Sequence, residues 1–430
     1  MSRLLLKHAR VVDPSQRLDA GLSILIADGK IARLAERIED KDAEVLDATG
    51  LVAAPGFIDA HVHLREPGFE YKETLASGTA AAVAGGFTAV CSMPNTAPVN
   101  DNAAVTEFIR ARAAEAALAR VYPVGAVSKG LMGEELAEMG EMVRAGAVAF
   151  SDDGKPVRNA YLMRRALEYA QLFDVPIVDH CEDPDLVANG VMHEGAIATR
   201  LGLRGMPAAA EEVMVARDVV LAQLTGGRAH IAHLSTAGAL ERVREGKGKG
   251  VAVTCEVTPH HLALTDQAVA DSEYDTDTKM NPPLRSAEHV EALVQGVLDG
   301  TVDCFATDHA PHHADEKILE YDLAPFGIVG LETAVPVTYD LLVRRHKLPL
   351  RLFIAMWSCN PARLFRLPGG SLKVGSPADV TLLDLEARAT VNPDRFRSLS
   401  HNSPFAGQRL KGWPAVTLVG GRVVWRRERR

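Results

Sequence analysis

Gly56-Phe57-Ile58-Asp59-Ala60-His61-Val62-His63-Leu64-Arg65-Glu66-Pro67-Gly68 is the stretch on which the fold turns. The apolar run 57–60 leads into two histidines separated by a single valine. In a strand, residues i and i+2 point to the same side. At a rise of roughly 3.3 Å per residue, the Cα atoms of His61 and His63 lie about 6.6 Å apart. Two imidazoles on that spacing can converge on one metal ion, each nitrogen about 2.0–2.1 Å from a zinc. Two ordinary histidines on a half-buried strand would look the same, so the rest of the chain has to decide.

Downstream, short strand-like runs alternate with helical patterns. The spacing predicts strands over 57–63, 88–93, 121–127, 147–151, 176–179, 229–234, 251–257 and 304–307. Helices are predicted over 72–84, 103–118, 136–145, 160–173, 211–224, 237–244, 288–298 and 331–343. Eight strands, each followed by a helix, over about 250 residues, is the pattern of a (β/α)8 TIM-type barrel. An open doubly wound sheet would alternate similarly, but no G-x-G-x-x-G follows an early strand.

The two ends have a different texture. Residues 22–26 and 31–34 flank Ala27-Asp28-Gly29-Lys30, a hairpin signal, and 51–54 ends at Pro55-Gly56. Near the C-terminus, short strands are expected at 380–385 and 423–425, each after a Gly-containing turn. The economical division is a small β-rich domain built from 1–55 and 366–430 around a barrel spanning 56–365.

Composition sets limits. The chain has 430 residues, 47% hydrophobic and 24% charged, which is an ordinary globular balance. A net charge of −9, with no basic stripe, argues against a nucleic-acid partner. The basic end Arg426-Arg427-Glu428-Arg429-Arg430 reads as a solvated tail. No apolar run approaches the ~20 residues that span a bilayer, and no signal-peptide core is expected at the N-terminus. Five widely spaced cysteines (Cys91, Cys181, Cys255, Cys304 and Cys359) include no C-x-x-C pair, so neither a disulfide framework nor a thiolate metal site is expected. A reducing, cytoplasmic setting fits.

A barrel demands that functional side chains gather at the C-terminal ends of its strands. They do so here: His61, His63 and Arg65 after the first strand, Asn95 after the second, and Asp152-Asp153 after the fourth. His180 follows the fifth, His233 the sixth, His260-His261 the seventh, and Asp308, His309 and His312 the eighth. Four histidines (His61, His63, His180, His233) and two aspartates (Asp153, Asp308) suit one or two borderline divalent ions, zinc foremost. Six ligands exceed what one open catalytic zinc takes. Two ions about 3.5–4 Å apart, bridged by a carboxylate and a hydroxide, would use all six. Such a centre generates a nucleophile at neutral pH and polarises a carbonyl, so the expected chemistry is attack on an amide-type carbonyl.

Asp59-Ala60-His61-Val62-His63-Leu64-Arg65-Glu66-Pro67-Gly68 resembles the dihydroorotase signature of the amidohydrolase superfamily. So do Ala306-Thr307-Asp308-His309-Ala310-Pro311-His312 and the run from Ala324 to Thr333. The resemblance extends from about Pro55 to Phe365. It implies reversible interconversion of L-dihydroorotate and N-carbamoyl-L-aspartate, a step of pyrimidine synthesis. It also implies two Zn2+ per chain, with His61, His63 and Asp308 on the first ion, His180 and His233 on the second, and Asp153 bridging. Many amidohydrolases bridge with a carboxylated lysine, whereas this strand end resembles the subgroup that uses an aspartate. Asp308 would serve as general base and acid. Arg65 would pair with the substrate carboxylate, a match for its planar guanidinium. The resemblance adds Asn95, Asn281 and His312, with backbone contacts from Phe326-Gly327, and places His63 beside substrate as well. The polar segment 312–325 is expected to act as a lid.

Plainer readings account for the remainder. Asp152 competes with Asp153 as the bridge, and motif position favours Asp153. Lys155 stands just beyond Gly154 as a weaker candidate for a modified ligand. His230, three residues from His233, should face the other side of its strand and serve packing or support. His260 and His261 read as loop-ordering, and His309 as support for Asp308. The nearest rival functions are dihydropyrimidinase, hydantoinase and allantoinase. Those relatives use a bridging lysine and do not need a carboxylate-binding arginine, so Asp153 and Arg65 count against them. A catalytically silent scaffold for aspartate carbamoyltransferase would have lost metal ligands, and all six are present. An active enzyme can also bind that transferase, or form a homo-oligomer.

Overall fold

The computed structural model describes residues 3–428, so Arg429 and Arg430 of the basic tail lie outside the described residues. Eight strands form one sheet in sequence order: Phe57–Val62, Phe87–Ser92, Arg120–Gly125, Ala149–Phe150, Ile177–Asp179, Ala229–Ile231, Val253–Val257 and Cys304–Phe305. Neighbours in this sheet pair in parallel. The first and eighth strands complete the ring through backbone bonds at the histidine motif. Asp308 N–H donates to the His61 carbonyl (3.1 Å) and His63 N–H to the His309 carbonyl (2.8 Å).

Several strands are shorter than their patterns predict because the chain leaves the ladder where functional side chains begin. Arg65, His233 and Asp308 adopt φ of 63°, 30° and 49°, conformations that cannot extend a strand and are uncommon for residues with a Cβ. At the other end of the seam, Phe57, Phe87 and Phe305 pack on Phe353 and Trp357 of the helix Leu350–Trp357, with ring centroids 5.1–6.4 Å apart. That aromatic cluster ties the first, second and eighth strands together.

The second sheet draws on both chain ends. Its strands run Arg422–Arg426, Arg409–Val419, Val380–Thr390, Val52–Pro55, Arg3–Asp13, Leu18–Ala27 and Lys30–Ala35, with Glu44–Asp47 alongside Arg3–Asp13. Three of these strands were not expected. In Arg3–Asp13 the charged residues hide the alternation, and a bulge between Leu6 and Ala9, with His8 at φ 62°, breaks its period. Arg409–Val419 contains Gly412 and Pro414 and is also bulged against its neighbour. Helix 331–343 begins later than expected, at Ala334, and winds wider as a π-helix over Tyr339–Arg345.

The two sheets share a joint beside the histidine motif. Val52–Pro55 runs through Gly56 directly into the first barrel strand. Gly56 N–H donates to the Asp379 carbonyl (2.9 Å), and Arg120 grips the Asp379 carboxylate with two bonds of 2.8 and 3.0 Å. Residues 398–403 then reach back over the barrel. Ser400 Oγ lies 2.9 and 2.7 Å from the carbonyls of Lys72 and His312, and Asn402 Nδ2 donates to the Gly327 carbonyl (2.9 Å).

Gly56 has no room for a side chain, because a Cβ there would stand 2.2 Å from Thr88 Oγ1. Gly56→Ala should therefore prise the first two barrel strands apart and lower stability by about 1–3 kcal/mol, read from urea unfolding. Adding Thr88→Ala should recover part of the loss, and a Gly56→Ala chain as stable as the parent would contradict this packing.

Candidate metal centre and active site

The six ligand candidates converge. Asp153 lies on the loop after the fourth strand, and its two oxygens face two histidine pairs. Oδ2 is 3.4 Å from His61 Nε2 and 3.3 Å from His63 Nε2, while Oδ1 is 3.4 Å from His180 Nδ1 and 3.2 Å from His233 Nε2. Asp308 Oδ1 is 3.2 Å from His63 Nε2 and 3.7 Å from His61 Nε2. Donors sitting about 2.0–2.2 Å from one tetrahedral ion stand about 3.3–3.6 Å from one another. The observed separations fall close to that range. All six residues are buried.

An orphaned atom tests whether a cation fits. His61 Nε2 is buried with no hydrogen-bond partner, although its other nitrogen is bonded. A buried polar atom left alone costs about 1–3 kcal/mol, and a bound cation removes that cost. Four groups among the described residues each offer ligand atoms within 4.8 Å of one another, and two of them make up this centre: His61, His63 and Asp308, and His61, Asp153 and His233. The donor set, imidazole and carboxylate without thiolate, suits a divalent ion such as zinc.

Three of the four histidines are oriented through their second ring nitrogen. His61 Nδ1 meets Glu256 Oε1 (2.8 Å), His63 Nδ1 meets Asn95 Oδ1 (2.8 Å), and His180 Nε2 faces Glu182 Oε2 at 3.6 Å. Such supports fix the tautomer and ring angle of metal-binding histidines. Asn95 is thus engaged with His63. Asn281 donates to Glu182 (2.7 Å) and stands 3.4 Å from His180.

Asp152 turns away from the centre, accepting from the Val127 and Ser128 N–H groups (2.9 Å each) and bonding the Ser128 hydroxyl. Lys155 is exposed, its Nζ near the Leu131 carbonyl. His309 joins Glu73 (3.2 Å), which also holds Ser398. His261 is tied between Thr258 Oγ1 (2.8 Å) and the Pro282 carbonyl (2.9 Å). His260 is buried beside it with Nε2 unpartnered.

Around the mouth, Arg65 Nε donates to the Pro311 carbonyl (3.1 Å), which sets its guanidinium next to His312. Burial lowers the Arg65 pKa to about 10, which leaves it a cation at neutral pH. His312 Nε2 meets the Phe326 carbonyl (2.8 Å), and burial, reinforced by Arg65 and Lys72, lowers its pKa to about 3. It is therefore neutral and donates to Phe326. Gly327 has both backbone groups engaged, its N–H on the Lys279 carbonyl (3.0 Å) and its carbonyl on Lys317 and Asn402. The segment 312–325 is anchored by Lys317, which donates to the carbonyls of Pro325 and Gly327 (3.1 Å each).

Sequence reasoning gave no role to Glu256, Glu182 or Glu73. Glu256 interrupts the apolar run of the seventh strand, and that was its one available signal. The others are ordinary loop acids until the fold brings a histidine to each.

A parallel barrel with histidines and aspartates buried at the C-terminal ends of its strands defines a metal-dependent hydrolase of the amidohydrolase kind. The dihydro-orotase-like family matches residues 50–239. Dihydroorotases of Anaeromyxobacter dehalogenans (strain 2CP-C) and Pelotomaculum thermopropionicum are 58% and 56% identical, each over 98% of this chain and 97% and 98% of their own. Among solved structures, an L-hydantoinase (dihydropyrimidinase) from Arthrobacter aurescens superposes with a TM-score of 0.88 at 26% identity, over 98% of this chain and 96% of that one. This chain belongs to the dihydroorotase family.

Without a cation, the centre has to hold protons. Burial opposes charge on both partners, but the histidines outweigh it for Asp153 and hold its pKa well below the usual carboxylate range. Burial likewise opposes charge on His180, and its bonds to Asp153 and Glu182 outweigh it, raising the pKa to about 10. A raised histidine contributes stability fully below its unfolded pKa of about 6.5 and loses that contribution as pH rises towards 10. Metal-stripped protein should therefore lose stability between pH 7 and 10, and should release protons when zinc is added at pH 7, read in weakly buffered solution. Loading without proton release would contradict protonated histidines in the stripped centre.

Proposed function

We propose that this chain is a dihydroorotase that interconverts L-dihydroorotate and N-carbamoyl-L-aspartate for pyrimidine synthesis, using two zinc ions per chain. The observation that carries the reading is the Asp153 carboxylate, one oxygen towards each histidine pair. His61, His63 and Asp308 would hold one ion, His180 and His233 the other, and Asp153 both. When bound there, the ions supply a nucleophile at neutral pH and polarise the ring carbonyl.

The chain's own groups do the rest. Asp308 takes the proton of the attacking water and delivers it to the departing amide nitrogen, and the same path in reverse closes the ring. Its pKa is pulled below the usual carboxylate range: burial opposes this, and the His63 bond and nearby imidazoles prevail. It is therefore ionised, the state a proton acceptor requires. Arg65 receives the α-carboxylate through its outer guanidinium nitrogens, since Nε is already committed to Pro311. Asn95, Asn281, His312 and the Phe326-Gly327 backbone would complete the substrate contacts, the backbone only by exchanging its bonds to Lys279, Lys317, Asn402 and His312. Asn95 can do so only through the amide nitrogen left over from His63. The segment 312–325 would move as a lid only by releasing Lys317.

The hydantoinase reading has the fold in its favour, yet relatives named dihydroorotase are 50–58% identical and the hydantoinases and dihydropyrimidinases 22–26%. Aspartate at 153 and arginine at 65 point the same way. The composite domain of 1–55 and 366–430 around a 56–365 barrel, a cytoplasmic setting, homo-oligomers and a complex with aspartate carbamoyltransferase belong to the same proposal. No helix among the described residues is long and apolar enough to cross a membrane.

Asp308→Asn should lower kcat by about 10²–10⁴, and near-normal turnover would remove Asp308 as the proton carrier. Arg65→Ala should raise KM for dihydroorotate far more than for an uncharged cyclic ureide. An equal effect on both substrates would make Arg65 structural.

A further inference from the structure

Beneath the centre, the floor of the barrel carries a line of buried hydrogen bonds that leads to a single ring nitrogen. Thr254 Oγ1 is 2.8 Å from His230 Nδ1, His230 Nε2 is 3.2 Å from Glu256 Oε2, and Glu256 Oε1 is 2.8 Å from His61 Nδ1. His61 and Glu256 have no exposed surface and His230 is 1% exposed. The His230 ring stands edge-on to Phe365 at 5.3 Å, which keeps it from swinging away. His230 thus faces the centre's support, although its spacing from His233 suggested the opposite side of the strand. The chain turns through positive φ at His233, so strand parity does not carry across that interval.

The chemistry of the line fixes its hydrogens. Each Glu256 oxygen faces one imidazole nitrogen, Oε1 towards His61 and Oε2 towards His230. With a carboxylate oxygen accepting on each side, His230 Nε2 and His61 Nδ1 are the nitrogens that carry hydrogen. His230 Nδ1 then has a lone pair, and the Thr254 hydroxyl fills it. His61 Nε2 is then the nitrogen that faces Asp153 and Asp308 (3.4 and 3.7 Å), buried and without a hydrogen-bond partner, and it is the one that would be offered to a cation. The same Glu256 oxygen also lies 3.4 Å from the His233 backbone N–H, a long contact that reaches the second histidine pair.

We propose that Thr254, His230 and Glu256 form a positioning array that locks His61 in the Nδ1–H tautomer and thereby decides which nitrogen is offered to a cation. The inference rests on His61 being a metal ligand and adds how its binding nitrogen is selected. In Glu256→Gln, the amide oxygen can accept from one histidine while the NH2 group confronts the other. The carboxylate that served both is gone.

The test uses chelator competition to measure zinc affinity in the parent and in three variants, with histidine 15N NMR of the zinc-loaded parent. Glu256→Gln should bind zinc about 10–100-fold more weakly. His230→Leu, which removes the donor behind Glu256, should fall between Glu256→Gln and the parent. His230→Gln, whose amide can still donate to Glu256, should recover most of that loss, which a merely space-filling role for His230 would not produce. The NMR signature should be a protonated Nδ1 and a metal-bound Nε2 on His61. Parent-like affinity in both Glu256→Gln and His230→Leu, or a protonated Nε2 on His61 in the zinc-loaded protein, overturns the array. If Glu256→Gln does not fold, the His230 pair and the tautomer decide. A parent chain that binds no divalent ion removes the metal centre itself, a different failure from one in which only the variants match the parent.

Discussion

A single carboxylate, Asp153, is buried among four imidazoles with one oxygen turned to each pair. An ionised group in such a place costs several kcal/mol unless matched by opposite charge. The surrounding rings can meet that demand in two ways, by taking up protons or by sharing cations. Protonated rings repel one another at these distances, and His180 Nδ1 and His233 Nε2, only 3.0 Å apart, cannot both carry hydrogens. Cations would satisfy all six side chains at once. The rest of the barrel mouth makes sense as the apparatus that maintains this geometry.

That apparatus is costly in backbone terms. Arg65, His233 and Asp308 all sit at positive φ, a conformation that costs of order 1–3 kcal/mol each and survives only where the surroundings over-determine it. The surroundings here do so. The seam between the first and eighth strands is bonded through His61 and His63 themselves, and Asp59 accepts the N–H groups of His61 and Thr307 (3.2 and 3.0 Å). The second sheet presses on the same place, since it feeds the chain into the first strand at Gly56. Residues 398–403 pin the loops that carry Lys72, His312 and Gly327. The small sheet is thus more than an appendage, because it helps set the position of loops at the mouth.

How much of this could be read beforehand follows from period and register. The barrel was legible because eight runs alternate with helical patterns, and the six converging side chains because His and Asp recur at the strand ends. Arg3–Asp13 and Arg409–Val419 escaped notice because bulges and charged residues blur alternation. Glu256 escaped notice because one acid in an apolar strand says nothing about which histidine it will meet, and that partner is 195 residues away. Asn95 was expected beside substrate, yet its side-chain oxygen is committed to His63. Sequence spacing locates side chains along a strand; which way a ring nitrogen faces is settled only by partners from other strands.

The account comes down to whether two cations sit on either side of Asp153. Anomalous X-ray diffraction at the zinc edge, on crystals of protein purified without chelator, would locate them directly. It should give two peaks about 3.5–4 Å apart on either side of Asp153, one beside His61 and His63 and the other beside His180 and His233. One peak only, or a pair that leaves Asp153 unligated, would contradict the shared-carboxylate centre.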